Sequence, residues 1–224
     1  MGRTFFTVLF AGRGPVNADV ILPNQLNMFS KFKASYSETG RAPSSLNEDL
    51  LAKIEPYAHG FTELVREFGG VSFDNGVYRL HSVQNILAWT KNVESALPDY
   101  RGRTICFGFD WLGRHFALDK GKLTADQMNV LLLEPGTGEA LNIPVTFADF
   151  HNIELVEYRN DVLASDFYSD WIKNGGSPPK HDQCIGYKVP LFLNGDDIVD
   201  NLESSDMDVY WNISGQLLSG NKAV

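Results

Sequence analysis

Three turn signals, each set between apolar stretches, constrain this chain more than any other feature. Asp74-Asn-Gly76 separates Val71-Ser-Phe73 from Val77-Tyr-Arg-Leu80. Asp110-Trp-Leu-Gly113 separates Thr104–Phe109 from Arg114–Leu118, and Pro135-Gly-Thr-Gly138 separates Asn129–Leu133 from Ala140–Ile143. Turn residues flanked by short β-prone runs predict hairpins, and a hairpin joins its strands antiparallel. Helical patterns lie before, between and after them. Leu46 to Phe68 reads as helices broken at Pro56, the second placing Phe61, Leu64, Val65 and Phe68 on one face before Gly69-Gly70. Ser82 can cap a helix carrying Ile86, Trp89 and Val93. Thr146 and Asp149 suit a helix start, with Leu155, Tyr158, Val162, Leu163, Phe167 and Trp171 following at spacings of three and four until Asn174-Gly-Gly-Ser-Pro-Pro179. The expectation is an α+β fold with a mainly antiparallel sheet built from hairpins and helices beside it. Glu38 to Ser45 reads as an exposed, turn-rich stretch, and Pro98 to Gly102 as the internal boundary of two parts packed as one unit.

Length and composition narrow the class. With 224 residues, 43% of them hydrophobic, the chain can bury a substantial core. No apolar run approaches the roughly 20 residues needed to span a bilayer. The run Thr4 to Ala11 ends in Gly12-Arg-Gly-Pro15 without a small-x-small cleavage site, so it reads as a strand and the expected location is the cytoplasm. Cys106 and Cys184 sit in apolar strings and read as small buried hydrophobes. A net charge of −9 argues against direct nucleic-acid binding, which needs a basic stripe, and favours a basic partner.

Motifs for chemistry are sparse. His59, His81, His115, His151 and His181 include no pair at metal-ligand spacing, and His151-Asn-Ile-Glu154 has no second copy to complete a di-iron site. Gly136-Thr-Gly138 lacks the Lys-Ser/Thr of a phosphate loop, so no cofactor is expected. Asp110, Asp119, Glu134 and Glu139, near the hairpins, are the carboxylates from which a hydrolase would draw. Asp196, Asp197, Asp200, Glu203, Asp206 and Asp208 form a stretch without a cation. It can be a phosphate decoy facing a basic cleft, or a solvated loop leading into the acidic first turn of a helix. Its spacing does not match a calcium loop. Trp111 and Leu112 at a turn are either folded back onto a helix or offered as an interface anchor.

Cys184-Ile-Gly-Tyr-Lys-Val-Pro-Leu-Phe-Leu-Asn-Gly195, Asn201-Leu-Glu203 and Asp206 to Leu217 resemble the closing signature of bacterial immunity proteins that neutralise DNase effectors of the type VI secretion system. The hairpin Phe109 to Asp119 is similar to a strand-turn-strand segment of the same domain. Phe61 to Gly70, leading into Phe73 to Leu80 and the Trp89 helix, resembles the GAD-like domain. The resemblance implies a GAD-like part over residues 1–98, an immunity domain over 99–224, and a curved, mainly antiparallel sheet of the SUKH type. It implies a non-catalytic inhibitor that occludes a toxin's active site or DNA-binding surface, with Trp111, Asp196, Asp197, Asp200, Glu203 and Asp206 as candidate contacts. A SUKH-type regulatory or scaffold module is the alternative. Whether the acidic segment pairs as a strand or lies as a loop stays open.

Overall fold

The run Val130-Leu-Leu-Leu133 shows how the sheet is placed: four consecutive apolar residues in an extended strand must bury both faces. The computed structural model describes residues 28–221, and the strand expected over residues 4–11 lies outside them. Seven strands form an antiparallel meander in chain order: β1 Glu38–Arg41, β2 Val71–Phe73, β3 Tyr78–Leu80, β4 Thr104–Asp110, β5 His115–Thr124, β6 Gln127–Glu134 and β7 Glu139–Ile143. All three predicted hairpins are present, and the α+β expectation holds. Because β3 pairs with β4 (Arg79 opposite Phe109), the sheet runs straight across residues 98–102.

Alternate residues point into two separate cores. Phe116, Leu118, Val130 and Leu132 face one layer; Ala117, Leu131 and Leu133 face the other. In β4 the register shifts between Cys106 and Gly108, and this bulge sends Phe107 to the first core while Cys106 and Phe109 both face the second. Short helices cover the first face: α1 Ser30–Ser35, α2 Glu48–Ile54 and α3 Phe61–Phe68. The second face is covered by α4 Ile86–Ala96. After β7 the chain makes α5 Phe147–Asp149, a π turn Phe150–Glu154, α6 Leu155–Glu157, α7 Arg159–Leu163 and α8 Ser165–Lys173. A two-stranded sheet, β8 Gln183–Tyr187 and β9 Leu202–Asp206, then leads into α9 Met207–Asn221, which packs beside α4.

Several expectations need correction. Glu38–Arg41 is an exposed edge strand rather than a turn; its side chains carry no alternation, but Thr39 Oγ1 donates to Ser72 O and the backbone pairs with β2. The β5–β6 connection carried no glycine signal because Ala125 and Asp126 themselves adopt positive φ, 49° and 62°. Ser82 makes no side-chain cap; a 3₁₀ turn, Val83–Asn85, precedes α4. The single helix expected from Thr146 onward is divided at Tyr158 and at Ala164, whose φ is +49°.

Trp111 is fully buried, so of its two alternatives the structure takes the inward one. Its Nε1 donates to Leu163 O at 2.8 Å, and its ring meets Phe167 and Tyr168 edge-on. As a partner contact Trp111 is therefore withdrawn. The turn that carries it needs Gly113: φ is +77°, and an added Cβ would sit 2.9 Å from Cys184 Cβ. That close approach joins the meander to β8, where Ile185 N donates to Trp111 O.

Candidate interaction surface

Three of the four carboxylates offered for hydrolysis, Asp110, Asp119 and Glu134, are engaged in the interior. Asp110 is buried and accepts from Leu112 N and Arg114 N through Oδ1 and from Arg114 Nε, at 2.6 Å, through Oδ2. Arg114, also buried, donates to Val162 O and lies 3.6 Å from Glu134 Oε2. Burial pushes the Asp110 carboxyl up against the pull of Arg114. It pushes Glu134 up to about 7, again opposed by Arg114. Asp119 holds Arg103 in a bidentate pair at 2.5 and 2.6 Å, while Glu139 is exposed on β7. Asp110 and Glu134 converge on one guanidinium, which offsets part of their charge and fixes the turn between β4 and β5.

His81, His115 and His151 are equally internal, while His59 is exposed and His181 half-buried. His151 sits in an aromatic cage with Phe29, Phe32, Phe107 and Phe147, its ring nitrogens 2.9 Å from Phe147 O and from Tyr78 Oη. His81 and His115 stack on one another and on Phe109. Burial holds His115 and His151 down to about 3. Among the described residues, no group of three or more His, Cys, Asp or Glu is placed to hold a metal ion.

The remaining charge lies on the surface between β8 and α9. Residues 183–221 contain six carboxylates and one cation, Lys188, in a chain whose net charge is −9. Among the described residues none of these carboxylates forms an ion pair; the salt bridges all lie elsewhere. The segment that sequence left open divides in two: 196–201 is a loop with a 3₁₀ turn, Val199–Asn201, and 202–206 is β9. Asp196, Asp200, Glu203 and Asp206 are exposed. Asp197 is half-buried and accepts from Tyr187 Oη at 2.8 Å. Asp206 Oδ1 accepts from Val209 N in the first turn of α9, and Asp208 accepts from Asn92 Nδ2.

One residue sets the shape of this loop. Asn201 Nδ2 donates to Val189 O and Asp196 O, both at 2.9 Å, while its Oδ1 accepts from Val189 N at 3.0 Å. Its own carbonyl accepts from Lys188 N, and Lys188 Nζ donates to Asp200 O. Val189, Leu193 and Ile198 stay 38–49% exposed on the loop, and Val209, Ile213 and Leu217 stay 38–51% exposed on α9. These are half of the large hydrophobic side chains exposed among the described residues. Sequence reasoning missed them, since it sought an apolar anchor at Trp111.

A concave feature lies beside α4, away from α9. It is a groove of about 600 Å3 with a floor of Leu50, Ile54, Tyr57, Leu87, Leu123 and Met128, near Lys53, Lys91 and Lys120.

Fold and surface together define an α+β protein with a concentrated acidic, partly apolar face. Residues 146–218 match the family described as T6SS immunity protein Tdi1, C-terminal. This match covers about a third of the chain, contains the whole loop and nearly all of α9, and supports a type VI secretion immunity protein that neutralises a toxin. The crystal structure of Atu4351 from Agrobacterium tumefaciens is similar in fold, with a TM-score of 0.59 at 14% identity over 84% of this chain and 88% of that one. No curated protein matches by sequence. Among the described residues no helix is long and apolar enough to cross a membrane.

Proposed function

We propose that this chain is an immunity protein that binds a cognate type VI toxin, a DNase, in the cytoplasm of the producing cell and occludes its active site or DNA-binding surface. The observation that carries the reading is that the stretch matching the Tdi1 C-terminal family contains the run 189–218, which holds six carboxylates and no cation. Asp196, Asp200, Glu203 and Asp206 face the toxin in this reading, with Asp197 beside them. A DNase must present a positive cleft to phosphates, and an acidic face attracts that cleft from a distance, raising the association rate while resisting wrong partners. The same charge disfavours DNA itself. Residues 1–98 are the GAD-like part and 99–224 the immunity domain, in a SUKH-type arrangement.

The test is a titration of the product of the adjacent gene with this protein in a DNA-cleavage assay. Cleavage is expected to fall linearly and reach zero at one equivalent. A neighbour that cleaves DNA at full rate with this protein in excess would overturn the proposal.

A further inference from the structure

The loop and α9 both leave apolar side chains exposed, and both rest against one turn of the meander. On α9, Met207, Tyr210, Trp211 and Ser214 point into the core, whereas Val209, Ile213 and Leu217, at spacings of four, form a stripe that solvent reaches. The loop and α9 meet the same Pro135–Gly138 turn. Phe192 N donates to Gly136 O, the Tyr187 ring lies against Gly136, and the Leu218 side chain packs over Gly138. Val189, Leu193 and Ile198 thus stand on a loop held by Asn201 and seated beside the helix, with Asp196, Asp200 and Glu203 around them.

We infer that this face is the docking surface for the toxin, and that the toxin meets it with an apolar patch ringed by lysine and arginine. The inference rests on the reading proposed above and adds the contact residues and the partner's chemistry. Charge selects the occupant. Across residues 183–221 six carboxylates outweigh one cation, Lys188, whose Nζ is bound to Asp200 O, so nucleic acid and anionic lipid are repelled, and a second copy of this chain would bring the same carboxylates against these. A basic protein surface satisfies both components: its cations meet the rim and its apolar patch covers the stripe. The loop is already fixed by Asn201, so little ordering is needed on binding. The two components then separate kinetically. The rim governs approach, and the covered aliphatic side chains govern dissociation.

The experiment measures association and dissociation rates of the full chain against the toxin encoded by the adjacent gene. Four proteins are compared: wild type, Ile213→Asp, the double variant Asp200→Asn/Glu203→Gln, and Leu87→Asp in the groove beside α4. Ile213 and Leu87 are half exposed, so both variants fold, which an unchanged unfolding midpoint checks. Ile213→Asp is expected to dissociate roughly 30-fold faster or more, the effect of losing a hot-spot side chain. The double variant is expected to associate about 10-fold more slowly at low salt, a difference that closes as salt screens the rim. Leu87→Asp is expected to match wild type. If Ile213→Asp binds as wild type does, or Leu87→Asp alone weakens binding, the docking face is elsewhere, though wild-type binding still supports immunity. If wild type itself does not bind this toxin, the functional reading and the docking face both fall.

Discussion

Removing the Asp110 carboxylate tests whether the buried ion cluster serves structure. Asp110 and Arg114 are both inaccessible to solvent, and Asp110 accepts three hydrogen bonds, two of them closing the turn that carries Trp111. Asp110→Ala leaves a buried guanidinium without its main counter-ion and two turn N–H groups without an acceptor. Breaking one side of a buried pair costs about 3–5 kcal/mol, and the orphaned amides can bring the total to the upper end. Asp110→Asn keeps an oxygen at the turn and removes the charge. In that variant Glu134, 3.6 Å from Arg114 and held up partly by Asp110, becomes the counter-ion and its carboxyl moves down from about 7. Its cost should be about 1–2 kcal/mol, the loss of charge assistance in hydrogen bonds that are kept. The assay is urea denaturation followed by tryptophan fluorescence, with an unchanged slope certifying comparable folded and unfolded states. Asp110→Ala with Arg114→Met should recover part of the loss, because the buried guanidinium is gone and Glu134, without it, is driven by burial to its neutral, protonated form. An Asp110→Ala variant within about 1 kcal/mol of wild type, or a double variant whose losses simply add, would refute this reasoning.

Acid should unfold the protein early. His115 and His151 titrate near 3 in the folded state, below the ordinary 6.5, so the unfolded chain binds the proton more readily between those values. Stability is full above about 6.5 and falls as pH drops, at up to about 1.4 kcal/mol per pH unit for each histidine. His81, also held down by burial, adds to this, whereas Glu134 gains protonation in the fold below about 7 and offsets one of the three. Urea midpoints from pH 7.5 to 5 check the sign, and a midpoint that rises on acidification would contradict it. Burial likewise pushes the Cys184 thiol up to about 12 and raises Cys106, so neither should react with an aromatic disulfide at pH 8 until the protein opens. Labelling of native protein at the rate of a free thiol would refute that placement.

Sequence carried the meander and lost the connections. Hairpin signals placed β2 to β7 because glycine, proline and asparagine announce backbone the other residues avoid. At Ala125-Asp126 ordinary residues adopt that backbone, and the turn is silent. The edge strand β1 has four exposed side chains, so the alternation that marks a half-buried strand is missing. Trp111 shows the limit for sites: a tryptophan at a turn has the same neighbours in sequence whether it faces solvent or, as here, donates to Leu163 O from 52 residues away. The acidic segment was legible as charge, and its division into loop and strand was not, because that depends on β8 pairing across a 14-residue gap.

That division also narrows what remains unexplained by folding. Asp206 accepts from a backbone amide in the first turn of α9, Asp208 lies in that turn, where negative charge suits the helix dipole, and Asp197 accepts from Tyr187. Each has a structural reason to be acidic. Asp196, Asp200 and Glu203 have none: the loop is held by Asn201 and by backbone groups, including the Asp196 and Asp200 carbonyls, and would keep its shape with amides at those positions. Elsewhere several carboxylates are matched with cations, among them Glu67 with Lys33 and Asp74 with Arg159. Leaving three unmatched beside exposed aliphatic side chains adds self-repulsion and stabilises nothing within the fold. If the fold alone governed these positions, replacing all three by amides would be neutral or slightly stabilising and would leave toxin binding untouched. A gain in stability together with a slower approach to the toxin would show that their charge serves the partner.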